Sequence, residues 1–242
     1  MTTVEMLTPN KIMNNVNKTS LARAALIAGI GLLIMVIAAP FAELYVFPKL
    51  VIPNHAAETA KNIIVNKALF TSAIFGYLIT FICDLVVAWA LYVLLKPVNK
   101  NLSLIAAWFR WVYTGIALVA LLNLVTVLRL LNTSDTLSSL QSDQLYTQVM
   151  LSLSGFRTQW HFGLLFFGIH LGLLGYLVFR SKYIPSILGL LLIVAGLGYL
   201  LTSLKPFLFP GIHLDFAEYT FYGELIFMLW LLIRGSTIEE AN

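Results

Sequence analysis

The chain has 242 residues, of which 60% are hydrophobic and 11% charged, with a mean hydropathy of +0.88. Soluble domains carry roughly 25% charged residues, so a water-soluble globule is excluded. The net charge of +4 is no sign of nucleic acid, because the basic residues cluster at the ends of apolar runs, as membrane topology requires.

Six apolar runs are each long enough to cross a bilayer, which takes about 20 residues. The expected fold is therefore all-α, a polytopic transmembrane bundle of six spans over residues 21–235. Residues 1–20 are polar, with Lys11 and Lys18, and read as a cytoplasmic tail. Span one covers Leu21–Ala39, and Pro40 ends or kinks it. It is too long for the apolar region of a cleaved signal peptide and reads as an uncleaved span. Phe41–Lys67, with Pro48, Pro53 and several charges, is expected to be an extramembrane loop, in which Glu58–Lys67 suits a short amphipathic surface helix.

Span two covers Ala68–Leu95 and is followed by a tight basic turn, Lys96 to Lys100. Span three, Leu102–Leu131, leads into a polar loop, Asn132–Gln148. Span four, Thr158–Phe179, stops at Arg180 and Lys182; span five, Ile184–Leu204, stops at Lys205-Pro206. Span six, Ala217–Ile233, precedes Arg234-Gly235, and residues 236–242 form a second cytoplasmic tail. The single cysteine, Cys83, permits no disulfide within the chain and no cysteine-based metal cluster.

Orientation follows from the basic residues. Lys11, Lys18, Arg23, Lys96, Lys100, Arg110, Arg180, Lys182 and Arg234 count toward one end, where the connections are short turns. Lys49, Lys61, Lys67, Arg129, Arg157 and Lys205 fall at the other, alongside Glu43, Glu58, Asp135, Asp143, Asp215 and Glu218. The positive-inside rule places both termini in the cytoplasm. The chain also reads as three hairpins, each returning span carrying one ionisable residue before a basic stop. That pattern suits either an internal duplication or six spans that simply obey the positive-inside rule.

Ionisable side chains inside spans are costly and mark either function or pairing. Asp84 lies 12 residues before Lys96, Arg110 lies 10 after Lys100, His170 10 before Arg180, and Glu224 10 before Arg234. At about 1.5 Å per residue all four sit near the middle of a hydrocarbon core about 30 Å thick. They form one candidate polar layer. Tyr77, Thr80 and Asp84 share a helical face, as do Arg110, Tyr113 and Thr114, so each charge belongs to a polar stripe. Spans two and three are joined by a tight turn, and an Asp84–Arg110 ion pair is expected between them. The layer reads either as packing glue or as a proton, ion or solute site.

His161 and His170 are nine residues apart, on opposite faces of a straight helix, and cannot share one metal ion. His161 instead shares a face with Gly168, Gly172 and Gly175, a spacing suited to close helix approach. Trp108, Trp111, Trp160, Tyr183 and Tyr222 read as interfacial anchors and core. No cofactor, metal or catalytic motif is present in the sequence.

Several stretches carry a resemblance: Phe41 to Leu44, Leu91 to Lys100, Ala106 to Arg110, Phe166 to Gly172, Gly175 to Leu177, Tyr183 to Pro185 and Ala195 to Leu200. In these the chain resembles the bacterial domain-of-unknown-function family 4386. The resemblance covers about Arg23 to Gly235 and implies a six-span inner-membrane protein. It supplies no catalytic residues. Three functional readings follow in order. The first is a non-catalytic protein that binds lipid or a partner. The second is a small-solute, ion or proton permease using the midplane layer. The third is a membrane-embedded hydrolase with His170 as base or metal ligand. The bilayer is the partner common to all three.

Overall fold

The computed structural model describes residues 9–132, 142–208 and 220–238, and their secondary structure is entirely helical. Helix α1 (Pro9–Pro40) runs into a π-helical turn (Phe41–Val46) and a short α2 (Phe47–Leu50). Then follow α3 (Ala56–Val65), α4 (Lys67–Leu95), α5 (Lys100–Asn132), α6 (Ser142–Arg180), α7 (Ser186–Leu208) and α8 (Tyr222–Arg234). A 3₁₀ turn, Gly235–Thr237, closes the described chain. Residues 133–141 and 209–219, which hold part of the expected outer loops and the start of span six, lie outside the described residues. So do residues 1–8 and 239–242 of the two expected tails.

Among the described residues, five helical stretches are long and apolar enough to cross a membrane: Leu21–Leu50, Lys67–Leu95, Lys100–Asn132, Asp143–Arg180 and Ser186–Lys205. Six were expected. The described part of the expected sixth span, Ala217–Ile233, is α8, Tyr222–Arg234, and its first residues lie outside the described ones.

The span ends differ from the sequence expectation in three places. The first helix does not stop at Pro40, and the loop expected over Phe41–Lys67 begins only after Leu50. Pro40 offers no N–H and crowds the carbonyl four residues back. The backbone takes up the wider π register for one turn and then resumes. Burial rewards this continuation: Ala42, Val46, Phe47 and Leu50 are all buried. Secondly, α6 starts at Ser142, so the segment up to Gln148 is helix and not loop. Thirdly, α7 continues past Lys205-Pro206 to Leu208.

The six long helices close into a ring in chain order. Helix α1 packs on α4, α4 on α5, α5 on α6, α6 on α7, α7 on α8, and α8 returns to α1. Each helix is apolar on both sides, which suits lipid outside and core inside. On α4, Phe75, Ile79, Ile82 and Val86 form an exposed apolar stripe, while Tyr77, Thr80, Asp84, Val87 and Leu91 are buried. The outer stripe would be unfavourable in water and is at home in lipid.

Glycines set the α6–α7 distance. A Cβ on Gly175 would lie 2.6 Å from the Gly189 carbonyl oxygen, and one on Gly196 would lie 2.7 Å from the Gly168 carbonyl oxygen. Gly168 and Gly175 thus serve the close approach expected of that face. Gly172 does not, since a Cβ there would meet nothing within 4 Å.

Candidate functional site

Asp84 on α4 and Arg110 on α5 form the expected ion pair. Nε of Arg110 donates to Oδ1 of Asp84 at 2.7 Å, and Nη2 reaches the same oxygen at 2.6 Å. The two side chains are 0% and 1% exposed. A buried pair of this kind offsets its desolvation only when further hydrogen bonds complete it. Three contacts do so for the guanidinium. Nη1 meets Nε2 of His170 on α6 at 3.3 Å. Nη2 approaches the Met35 sulfur on α1 at 3.8 Å, and the guanidinium lies 5.2 Å from the centre of the Phe167 ring.

The His170 ring is fixed from its other side, where Nδ1 lies 2.8 Å from the carbonyl oxygen of Ala106. A carbonyl only accepts, so Nδ1 carries the hydrogen. Nε2 is then the acceptor facing Arg110. This assignment rests on the partners, as tautomers always do, and it makes His170 a neutral bridge between α6 and α5. In this arrangement the lone pair that a general base or metal ligand would use faces the Arg110 guanidinium. Among the described residues no group of three or more His, Cys, Asp or Glu side chains is placed to hold a metal ion.

Glu224, in the first turn of α8, completes the set. It is half-buried; its carboxyl interacts with the Tyr199 hydroxyl of α7 and lies in the electrostatic field of Arg110 and Asp84. The four residues singled out in the sequence are therefore brought together. Met35, Asp84, Arg110, His170, Tyr199 and Glu224 come one from each helix of the ring.

The secondary candidates divide. Thr80 bonds the carbonyl of Gly76 and Thr114 that of Arg110, each one turn back in its own helix. Their hydroxyl hydrogens are thus committed within their own helices. Tyr113 is buried beside the cluster, its ring 4.9 Å from Phe167, and its hydroxyl accepts from Trp160 Nε1 at 3.0 Å. Trp160 thus ties α6 to α5. Tyr77 packs against Trp160 and Phe156. Its hydroxyl lies near Glu43 but makes no hydrogen bond of ordinary geometry. Glu43 and Arg157, 3.9 Å apart and 30% and 54% exposed, form a loose pair above it. His161 is exposed on the far face of α6 and stands outside the cluster.

Sequence reasoning missed Tyr199. The signal was available: Tyr199 and Ser203 are one turn apart on α7, the same stripe pattern that drew attention to Tyr77, Thr80 and Asp84. Like the Tyr77 hydroxyl, the buried atoms Asp84 Oδ2 and Ser203 Oγ have no hydrogen-bond partner among the described residues.

The family model described as "Domain of unknown function (DUF4386)" matches residues 27–235. An uncharacterized protein of Archaeoglobus fulgidus is 36% identical over 169 residues, covering 70% of this chain and 87% of the relative. A family expected to be bacterial therefore has an archaeal relative as well. No solved structure matches.

Proposed function

From the premise that this chain belongs to the DUF4386 family of integral membrane helical bundles, we propose that it is a proton permease whose central cluster takes up and releases one proton. The reading places the protein in the cytoplasmic membrane with the basic end and both termini inside. The observation that carries it is a charge mismatch. Two carboxyls, Asp84 and Glu224, share the field of one guanidinium, Arg110. Asp84 already holds Arg110 at hydrogen-bond distance, so Glu224 is the carboxyl left over. An uncompensated charge in an apolar interior is expensive, and one proton on Glu224 restores neutrality.

Access is supported from the less basic end. The exposed Arg157–Glu43 pair neighbours the Tyr77 hydroxyl, Tyr77 packs on Trp160, and Trp160 bonds Tyr113 beside the cluster. A proton arriving at Glu224 removes the negative charge that faces Arg110, and it does so where all six helices meet. Loading and unloading would then act on the packing of the whole ring.

The test uses purified protein in liposomes with an internal pH-sensitive dye and an imposed pH gradient. Wild-type protein should dissipate the gradient faster than protein-free vesicles, and Glu224→Gln, which keeps the shape and the Asp84–Arg110 pair, should not. Equal rates for wild-type and protein-free vesicles would remove the permease reading. Undiminished flux through Glu224→Gln would remove Glu224 as the carrier.

A further inference from the structure

We infer that the basic end of the bundle carries a binding site for an anionic phospholipid headgroup, in the groove between the α6–α7 turn and the end of α8. The groove holds about 740 Å³ and is lined by Lys182, Tyr183, Ser186, Trp230, Arg234 and Thr237 among others. It is separate from the central cluster and independent of whether that cluster moves protons.

The walls are built by the chain's own turn. Helix α6 ends at Arg180 and α7 begins at Ser186. Between them Ser181 Oγ accepts from the Ile184 N–H at 3.2 Å, which folds the turn tightly. Tyr183 donates to the Leu94 carbonyl at 2.6 Å, pinning the turn to the end of α4. The groove is therefore a fixed feature, with an apolar floor that includes Ile184 and Ile238, both buried.

Two observations choose the occupant. The first is charge: Lys182 and Arg234 are both exposed at the groove, and no ion pair to either is found among the described residues. Basic pockets between membrane helices at the basic end are the recognised setting for anionic lipid headgroups. The second is continuity with the lipid-facing surface. Phe179 on α6, Ile187 and Leu190 on α7, and Leu229 and Ile233 on α8 are exposed, each within about one helical turn in sequence of a groove-lining residue. A molecule with its phosphate between Lys182 and Arg234 and its acyl chains along those side chains satisfies both. A free anion uses only the first, and a soluble partner only part of each. Trp230 and Tyr183 supply the amphipathic rings that sit at headgroup level.

The experiment is a thermal melt of the full chain in a neutral detergent, titrated with phosphatidylglycerol, phosphatidylcholine or inorganic phosphate. Phosphatidylglycerol should raise the melting temperature saturably, and the other two should not. Each basic residue near an anionic lipid surface contributes about 1 kcal/mol. In the Lys182→Gln, Arg234→Gln double variant the half-saturating lipid concentration should therefore rise roughly thirtyfold, with the lipid-free melt unchanged. Equal shifts from phosphatidylcholine, a full shift from phosphate, or an unaltered titration in the double variant would each overturn the assignment. So would a phosphatidylglycerol response that appears only after Glu239 and Glu240, which follow Ile238 in sequence, are both replaced by Gln. The groove would then serve the chain's own acidic end.

Discussion

The imidazole of His170 donates from Nδ1 to the backbone carbonyl of Ala106 across 2.8 Å, and this bond turns the Nε2 lone pair toward Arg110. A residue that reads in the sequence as an unpartnered histidine, open to acid–base or metal chemistry, is thereby committed to holding two helices together.

That commitment is measurable. Nitrogen NMR of histidine-labelled protein should show His170 as the neutral, Nδ1-protonated tautomer, and added zinc should leave its signals unchanged. His170→Leu should lower stability by about 1–3 kcal/mol, since it strands one guanidinium N–H in a buried site. An Nε2-protonated ring would contradict the geometry.

The Asp84–Arg110 pair should resist removal one half at a time. Asp84→Leu leaves a buried guanidinium without its carboxylate, and Arg110→Leu leaves two carboxyls with no cation. Each should cost about 3–5 kcal/mol and reduce the yield of folded protein in detergent. The double variant should recover much of that loss, because the pair also bears its own desolvation. Wild-type melting temperatures in both single variants would mean that the pair contributes nothing.

Close approach of α6 and α7 makes a third prediction. Gly175→Ala and Gly189→Ala each set a methyl group against backbone atoms less than 3 Å away. Overpacking of this sort costs about 1–3 kcal/mol, and the melting temperature should fall. Gly172→Ala, on the same face but with nothing within 4 Å, should be neutral or mildly stabilising, because alanine favours helix. If all three behave alike, backbone proximity is not what the glycines provide.

Topology can be checked with a reporter that is active only outside the cytoplasm. Inserted at Ser139 it should be active, and fused after Gly235 it should be silent, with both termini inside. Activity at Gly235 would mean that the chain makes five crossings and that α8 does not complete a sixth.

A good deal of this was legible in the chain itself. Membrane residence follows from the length of apolar runs, and the ends of α4 and α6 from the basic residues at Lys96 and Arg180. Asp84, Arg110, His170 and Glu224 stand out because a charge inside an apolar run is visible without any neighbour. The Asp84–Arg110 pair was readable too, since the tight turn from Lys96 to Lys100 makes α4 and α5 antiparallel neighbours and matched spacing brings the two side chains level. These are local quantities, fixed by what lies within a few turns of a residue.

Only the tertiary structure decided the remainder. The helix runs through Pro40 because Ala42, Val46, Phe47 and Leu50 find a core to enter, and no property of residues 38–42 contains that core. Trp160 faces inward to Tyr113, and Tyr199 reaches Glu224, because the ring closes through α7 and α8. The role of His170 depends on one carbonyl 64 positions away in sequence. Hydrogen-bond partners and burial are set by distance in space, whereas the apolar length and buried charge that announce this protein are set by distance along the chain.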